Sequence, residues 1–438
     1  MKLFSAILLL ILTFNAFAQK TDGVLATANG QNYTVSDLTP EARQALENLP
    51  KILRDARTNL LERQISDVLF EKESAARKLT AEKLIETEVT AKVAAPSETE
   101  IKAIYDASRA NIGSQTLEQV RPQIVAFLKR ETEQKAFDEF LSNLKIKYKV
   151  ALGKDVNAPN LSRFENLATV GDEQISAAKF EAKNKTTLAE LEADVNAFTL
   201  DALEQIVYSN LLVAEAKAQK VEAGDLIARE VTDKLKTFSD AELANFESAL
   251  REKLFAKYGA KFFVKEIPQT VAADNQPFKG KANAPVTVVM FTDFQCPACA
   301  AVYPALQEIM ASFGDKARFV VRDFPLVQIH ANAFRAAEAA AAAHAQGKFF
   351  EYSEILYRNQ NLLDEKSLAV YAAQAGLDAK RFETDLKSGK FAAEIRRDVA
   401  DGGKLGLSGT PTVFVNGVKV RTLSAKDFRQ AIDRALRK

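Results

Sequence analysis

Apolar residues recur at helical spacing through about the first 270 residues, which predicts long amphipathic helices. Two runs carry this pattern most clearly: Leu61, Ile65, Val68 and Leu69, and Leu117, Val120, Ile124, Phe127 and Leu128. Short apolar pieces on either side of Asn29-Gly30 have the pattern of a β-hairpin instead. The stretch KIKYKVAL (145–152) predicts a strand that closes the first helical region.

The second half of this helical region repeats the first. Leu25-Ala26-Thr27 returns as Leu167-Ala168-Thr169, at an interval of 142 residues. The same interval joins Leu61, Leu69, Glu73 and Lys78 to Leu203, Leu211, Glu215 and Lys220. Helical periodicity alone explains some of these matches but not a constant interval. We therefore predict two duplicated hairpin-plus-helix modules, at 19–155 and 161–268.

The pattern changes after residue 268. QTVAADNQPFKGKANAP (269–285) is polar, with two prolines and one glycine, and predicts an extended linker over 269–282. VTVVMFTDF (286–294) is then typical of a buried strand. CPACAAVYPALQEIMASFG (296–314) is typical of a helix, with Pro297 in its first turn and a kink at Pro304.

Alternating strand and helix patterns continue to the C-terminus. They comprise a second strand (317–325), a helical block (about 330–404), a hairpin that turns at Asn416-Gly417 and a last helix (about 425–437). The fold class predicted for the whole chain is multidomain: mainly α modules, followed by an α/β domain over 283–438.

The N-terminus indicates export. Lys2 precedes an apolar run from Leu3 to about Phe14, and Ala16-Phe17-Ala18 then matches the A-x-A pattern of a signal peptidase site. The run is shorter than the roughly 20 residues that a bilayer crossing needs. We expect a cleavable signal peptide over 1–18, rather than an uncleaved anchor, and a periplasmic location.

Composition excludes several classes of function. With 47% hydrophobic and 27% charged residues the chain is ordinary for globular domains, and a net charge of +1 gives no bulk attraction to nucleic acid or anionic lipid. Structural zinc needs four ligands, but the chain has two cysteines and two histidines, in different blocks. We expect neither a metal nor a cofactor.

The two cysteines, Cys296 and Cys299, predict a redox couple. A pair this close would close almost no loop as a permanent structural disulfide, so it would stabilise the fold little. Cys296 at a helix N-terminus gains unpaired N–H groups and the positive end of the helix dipole, both of which favour the thiolate. Cys299 lies one turn later. We predict a reversible Cys296–Cys299 disulfide, with Cys296 as nucleophile and Cys299 as resolving thiol.

Four blocks of the C-terminal region resemble the DsbA-like branch of thioredoxin-fold oxidoreductases. They are FTDFQCPAC, RDFPL (322–326), AAEAAAAAHAQGKFFEYSEILY (336–357) and GTPTVFVNG (409–417). The resemblance implies a thioredoxin core interrupted by a helical insert. It also implies a cis peptide bond before Pro411 that faces the cysteines, with the backbone of Thr410 offered to an incoming extended polypeptide.

Other residues near the cysteines bear on the direction of the reaction. Pro297-Ala298 lacks the histidine that the strongest oxidant of that family keeps between its cysteines, so we expect a less oxidising couple. Asp293 is either a proton shuttle for Cys299 or a solvated strand-end residue. His330 and His344 are interpreted as packing or surface residues.

The first module resembles the N-terminal domain of SurA- and PrsA-type extracytoplasmic foldases. The resemblance rests on ATANGQNYTVSDL, in which Ala28 replaces the valine usual in that family, and on PSETEIKAIYDASRANI (96–112). It implies a chaperone-like surface for unfolded chains. A helical scaffold or a homodimerisation arm is the alternative.

The function expected is an exported thiol–disulfide oxidoreductase that acts on unfolded or cysteine-containing exported polypeptides. A separate redox partner would recycle its site. A disulfide isomerase or reductase is the alternative within the same chemistry, and Thr410 favours it. A holdase chaperone with secondary redox activity is the alternative from another class.

Overall fold

The computed structural model describes residues 23–109, 115–273 and 275–438. The signal peptide expected over 1–18 lies outside these residues. The described helices are α1 (Pro40–Arg77), α2 (Ala81–Glu88), α3 (Glu98–Ala107), α4 (Leu117–Lys147), α5 (Ala177–Gln219), α6 (Ala223–Glu230), α7 (Asp240–Lys257), α8 (Pro297–Phe313), α9 (Ala333–His344), α10 (Phe349–Arg358), α11 (Glu365–Gln374), α12 (Ala379–Lys387), α13 (Ala392–Lys404) and α14 (Ala425–Leu436).

The described strands form three sheets. They are β1 (Val24–Ala28), β2 (Gln31–Thr34), β3 (Ala151–Leu152), β4 (Asn166–Val170), β5 (Glu173–Ser176), β6 (Lys261–Phe262), β7 (Phe278–Lys279), β8 (Val286–Thr292), β9 (Ala317–Asp323), β10 (Thr412–Val415) and β11 (Val418–Lys419). Their orders are β2–β1–β6, β3–β4–β5 and β11–β10–β8–β9–β7. The chain is thus mostly helical, with an α/β region at its C-terminal end.

One compact unit comprises residues 51–188. Its antiparallel sheet β3–β4–β5 contributes Leu167 and Val170 to the core, and α4 contributes Phe140 and Leu144. Ile65 on α1 is fully buried in the same cluster. The helical spacing of apolar residues in the sequence therefore corresponds to the face that α1 buries.

The other compact unit comprises the described residues of 23–50 and 189–438. Its first sheet, β2–β1–β6, buries Tyr33 against Leu203, Leu211 and Leu254. The predicted hairpin is present, since β1 and β2 pair in antiparallel fashion. Asn29 and Gly30 at its turn both have positive φ, at 51° and 73°, as a two-residue turn between twisted strands requires.

Each helical region begins with a β-hairpin, and the third strand of that hairpin's sheet comes from the end of the other region. β1 pairs with β6, which follows α7, whereas β4 pairs with β3, which follows α4. The compact unit 51–188 is continuous in sequence, whereas the other unit joins two separate segments of the chain. The domain boundaries drawn from the repeat stay a prediction.

The strand predicted over 145–152 is mostly helix. α4 continues to Lys147, and only Ala151–Leu152 is extended. Leu144 is buried on α4, and the Nζ atoms of Lys145 and Lys147 bind Glu62 and Glu73 on α1. Lysines that alternate with apolar residues resemble a strand pattern, but lysines are also favourable in the last turn of a helix, where cations stabilise the helix dipole.

The same buried ion pair occurs twice. Glu73 accepts from Lys147 Nζ at 2.5 Å and from Tyr148 Oη at 2.8 Å, and Glu215 has the same contacts with Lys257-Tyr258. Both carboxylates are almost completely buried. The hydrogen bond from Lys257, followed by those from Gln219 and Tyr258, lowers the pKa of Glu215 to about 2.

The C-terminal sheet contains the segment expected to be a linker. β8 and β9 are parallel at its centre, β10 is antiparallel to β8, and β7 is antiparallel to β9. β7 thus lies inside 269–282. The glycine that suggested a linker has a packing role, because a Cβ on Gly280 would lie 2.6 Å from the carbonyl oxygen of Ala317.

Five helices, α9 to α13, separate β9 from β10 and correspond to the predicted helical block. The alanine run of α9 is buried on all sides, so small side chains let neighbouring helices approach. The hairpin at Asn416-Gly417 is present, and α8 continues through Pro304.

We predict that Glu215→Ala lowers the free energy of unfolding by about 2 kcal/mol at pH 7. The loss is smaller than for a fully buried pair because Lys257 is half-exposed. Since the pKa of Glu215 is depressed, its contribution is present above pH 4.5 and declines as the pH falls towards about 2. Urea denaturation followed by circular dichroism at pH 7 and pH 3 measures both effects. The exposed Glu71→Ala is the control, and an equal change in both variants would contradict the prediction.

Candidate active site

The cysteines lie where β8 passes into α8. A turn with a hydrogen bond from Cys296 N to Asp293 O, 3.1 Å long, follows β8 and places Cys296 at the N-cap of the helix. Pro297 occupies the first helical position, where a missing N–H costs nothing. Cys296 is 7% exposed and Cys299 is completely buried, whereas Pro297 and Ala298 are exposed.

Cys296 is the acidic thiol. A hydrogen bond from the Cys299 thiol is the largest cause, and backbone N–H groups of Cys299 and Ala298 and the Thr410 side chain also contribute. Together they outweigh burial and lower the pKa of Cys296 to about 5. At neutral pH Cys296 is therefore a thiolate, which is the form that attacks a disulfide.

Cys299 has the opposite character. Burial, and then the neighbouring Cys296, raise its pKa far above that of an ordinary thiol, although the Thr292 hydroxyl and the Asp293 backbone N–H oppose this. The Thr292 hydroxyl is itself 2.6 Å from the phenol oxygen of Tyr357. Both cysteines are free thiols here, so the predicted disulfide between them stays a prediction.

Thr410 and Pro411 reach the cysteines from a distant part of the chain. The Thr410–Pro411 peptide bond is cis, and the Cys296 sulfur lies 3.4 Å from the carbonyl oxygen of Thr410, to which it donates a hydrogen bond when it is protonated. The Thr410 side chain acts on both sulfurs. β10 begins at Thr412 and pairs with β8, which is why these two segments meet.

Asp293 lies beside the cysteines, but its carboxylate is bound elsewhere. It accepts from Gln295 N at 2.7 Å and from Leu326 N at 2.9 Å, and it lies 2.7 Å from His330 Nδ1. Its backbone N–H, rather than its carboxylate, acts on the sulfur of Cys299. A proton-shuttle role for Asp293 stays a prediction.

Two residues of this site were not identified from the sequence. His330, interpreted as a packing or surface residue, contacts Asp293 directly. Gln360 donates from Nε2 to the carbonyl oxygens of Phe294 at 2.9 Å and Cys296 at 2.8 Å. The RDFPL block lies close to His330 in the sequence and could have indicated that His330 belongs to the site. Nothing in the local pattern indicates Gln360.

A buried carboxyl group lies behind the site. Asp323 is opposite Thr292 in the parallel register of β8 and β9, and one of its oxygens is buried without a hydrogen bond. Burial, and then the charge of Asp398, raise the pKa of Asp323 well above its usual range. Asp398 in turn binds Arg322 at 2.6 Å. The Asp323 carboxyl therefore binds a proton more readily than an ordinary aspartate, and it lies beside the salt bridge between Arg322 and Asp398.

Among the described residues, no group of three or more His, Cys, Asp or Glu side chains is placed to hold a metal ion.

A family model described as Thioredoxin matches residues 272–434. The C-terminal part of the chain is thus a thioredoxin-like domain, and the match begins before β7, in agreement with the place of that strand in the sheet. The DsbA-like resemblance proposed from the four sequence blocks lies within the same range.

The chain also matches parts of longer curated proteins. It is 38% identical to the Na(+)/H(+) antiporter NhaA 1 of Mycolicibacterium vanbaalenii over 156 residues, which are 35% of this chain and 25% of that protein. Against NhaA 3 of Salinispora tropica it is 38% identical over 162 residues, 37% and 25% of the two chains. The chain spans about a quarter of the length of these relatives. Across residues 23–109, 115–273 and 275–438, no helix combines the length and apolar character that a membrane crossing requires.

Two solved structures are among those similar to part of this chain. A thioredoxin-like oxidoreductase from Silicibacter pomeroyi is 29% identical, with a TM-score of 0.35, and the match covers 38% of this chain and 94% of that one. BdbD from Bacillus subtilis in its oxidised form is 24% identical, with a TM-score of 0.36, and covers 39% and 98%.

We predict that iodoacetamide alkylates Cys296 of the reduced protein with a pH midpoint near 5 and leaves Cys299 unmodified. Cys299→Ala should move this midpoint upwards, because it removes the largest cause of the low pKa. Mass spectrometry of quenched samples measures both rates. A midpoint near that of a free thiol, about 8.5, would contradict the prediction.

We predict that Asp323→Asn stabilises the protein at pH 7 to 8. Because folding raises the pKa of Asp323, the folded state binds more protons than the unfolded chain above about pH 4, so the wild-type stability falls as the pH rises above that value. Asparagine removes this loss, and the two proteins should converge below that pH. Denaturation midpoints measure the difference. The control, Asp398→Asn, should instead lose up to about 3 kcal/mol because it removes one of the two carboxylates that bind the buried Arg322, the other being Asp401.

Proposed function

We propose that this protein is a thiol–disulfide oxidoreductase that acts on cysteine-containing polypeptides. The observation that carries the proposal is the contrast between the two thiols: Cys296 has a pKa of about 5, whereas that of the buried Cys299 is strongly raised. A nucleophile that is ionised at neutral pH and a neighbour that keeps its proton until needed are the two parts of a dithiol exchange.

In the reducing direction, the Cys296 thiolate attacks one sulfur of a client disulfide. The client S–S bond breaks, a mixed disulfide forms, and the released client thiolate takes up a proton. Cys299 then loses its proton and attacks the Cys296 sulfur, which releases the second client thiolate. The client disulfide is reduced to two thiols, and Cys296 and Cys299 are oxidised to a disulfide.

The reverse sequence oxidises a client dithiol and leaves Cys296 and Cys299 reduced. Oxidase, isomerase and reductase activities therefore share every step, and the redox partner that recycles the site decides between them. A low pKa at Cys296 stabilises the reduced form and makes the couple more oxidising. Here hydrogen bonds from Cys299, the backbone and Thr410 lower the pKa of Cys296, whereas the Ala298 side chain has no hydrogen-bond donor to contribute. The equilibrium potential against glutathione measures the balance, with about −120 mV typical of an oxidant and about −270 mV of a reductant.

We further propose that the N-terminal modules are duplicated relatives of SurA- and PrsA-type foldase domains and that they hold unfolded clients. The repeated Glu–Lys–Tyr contacts at Glu73 and Glu215 support the duplication. Exposed aromatic side chains support client binding: Phe127 and Phe164 in one compact unit and Phe238 in the other. Homodimerisation is the other role for these modules. Export through a cleavable signal peptide, and a periplasmic location, complete the proposal.

We predict that Cys296→Ser abolishes insulin reduction and the refolding of reduced ribonuclease. Cys299→Ser should instead accumulate a mixed disulfide between Cys296 and the client, because the resolving thiol is missing. Non-reducing electrophoresis detects this species. The matched variant Ala298→Ser changes neither cysteine and should keep both activities.

A chaperone whose redox activity is secondary would give a different result. If Cys296→Ser suppresses aggregation of an unfolded client as well as the wild type and no cysteine-dependent activity is found in either, the oxidoreductase proposal is wrong.

A further inference from the structure

One loop is fastened to the segment that leads into Cys296. Residues 324–332 connect β9 to α9, and this segment is called the β9–α9 loop below. Its backbone is bound at both ends: Phe324 N donates to the carbonyl oxygen of Thr292 at 2.7 Å, and Asn332 N donates to Gln295 Oε1 at 2.9 Å. The positions of Thr292 and Gln295 therefore determine where the loop begins and ends.

The centre of the loop is held by Asp293. The Asp293 carboxylate is completely buried, and its Oδ2 atom accepts from Leu326 N at 2.9 Å and lies 2.7 Å from His330 Nδ1, whose side chain is 17% exposed. A buried carboxylate is costly unless charged or polar partners surround it. Without His330, this oxygen would keep only one bond from the loop.

The turn between these two anchors carries exposed apolar side chains. The amides of Ile329 and His330 donate to the carbonyl oxygen of Leu326, at 3.0 and 2.9 Å, which makes a tight turn. Val327 and Ile329 lie on this turn and are 51% and 73% exposed. Isolated exposed apolar residues are common, but these two lie on a turn that is hydrogen-bonded to Asp293, three residues before the nucleophile Cys296.

We propose that His330 and Asp293 form a latch that holds Val327 and Ile329 beside Cys296, where they receive the apolar side chains that flank a client's cysteine. This rests on the proposed function. His330 is a positioning residue, since its contact is with Asp293 and not with a reacting sulfur. The occupant is an extended, unfolded polypeptide segment, because the neighbouring backbone of Thr410 faces the same sulfur and is available to an extended chain.

The latch affects which clients bind well and does not change the exchange reaction. A small thiol such as glutathione reaches Cys296 without touching the turn. A peptide whose cysteine is flanked by leucines gains contacts with Val327 and Ile329, and a peptide with serines at those places does not. The latch therefore acts on KM for apolar peptides and leaves the exchange step itself unchanged.

The test uses the full-length oxidised protein and three reductants: glutathione, a leucine-flanked cysteine peptide and its serine-flanked counterpart. His330→Ala should raise KM for the leucine-flanked peptide about tenfold, which corresponds to the loss of roughly one buried aliphatic contact. The kcat, and the rates with glutathione and the serine-flanked peptide, should stay within about twofold of the wild type. His330→Gln should restore the low KM, because its amide can donate to Asp293.

A second variant keeps the test decisive if His330→Ala does not fold. Val327→Ser combined with Ile329→Ser leaves the latch intact and should give the same rise in KM for the leucine-flanked peptide. If wild type and both variants oxidise the two peptides with equal KM while glutathione exchange continues, the latch is wrong and the proposed function stands. If the wild-type protein exchanges with none of the three thiols, the proposed function is wrong and the latch fails with it.

Discussion

The parallel pairing of β8 with β9 determines where every group of the candidate site lies. Because the two strands end at the same edge of the sheet, the turn that carries Cys296 and the β9–α9 loop leave side by side. The same register places Thr292 opposite Asp323, so that a hydroxyl in contact with Cys299 lies next to a buried carboxyl group. The antiparallel addition of β10 then brings the Thr410 carbonyl to the nucleophile.

The two thiols differ because they occupy different depths of one helix turn. Cys296 stands at the helix end, where N–H groups without intrahelical partners favour an anion. Cys299, one turn further, faces the core and is surrounded by Tyr303, Tyr357 and the end of β8. Neither residue would have this character alone, since each is the other's hydrogen-bonding neighbour. The asymmetry is a property of the pair.

Local patterns in the sequence were sufficient for features formed by neighbouring residues. Both Asn-Gly hairpins, the strand before Cys296 and the helix after it depend on short-range preferences, and the structure has all of them. The contact of His330 with Asp293 joins residues 37 positions apart, and no local preference encodes such a pairing. The misread strand at 145–152 has the same origin, because Lys145 and Lys147 are placed by acidic partners on a distant helix.

The exchange of strands between the helical regions has a consequence for how the chain is assembled. The hairpin of β1 and β2 is synthesised well before its third strand, β6, at residues 261 and 262. Its sheet cannot close until more than half of the chain has been made. Contacts over such long distances close slowly, and during that time an unpaired strand edge is available to wrong partners. The sheet of β1 and β2 is therefore completed only after β6 has been synthesised.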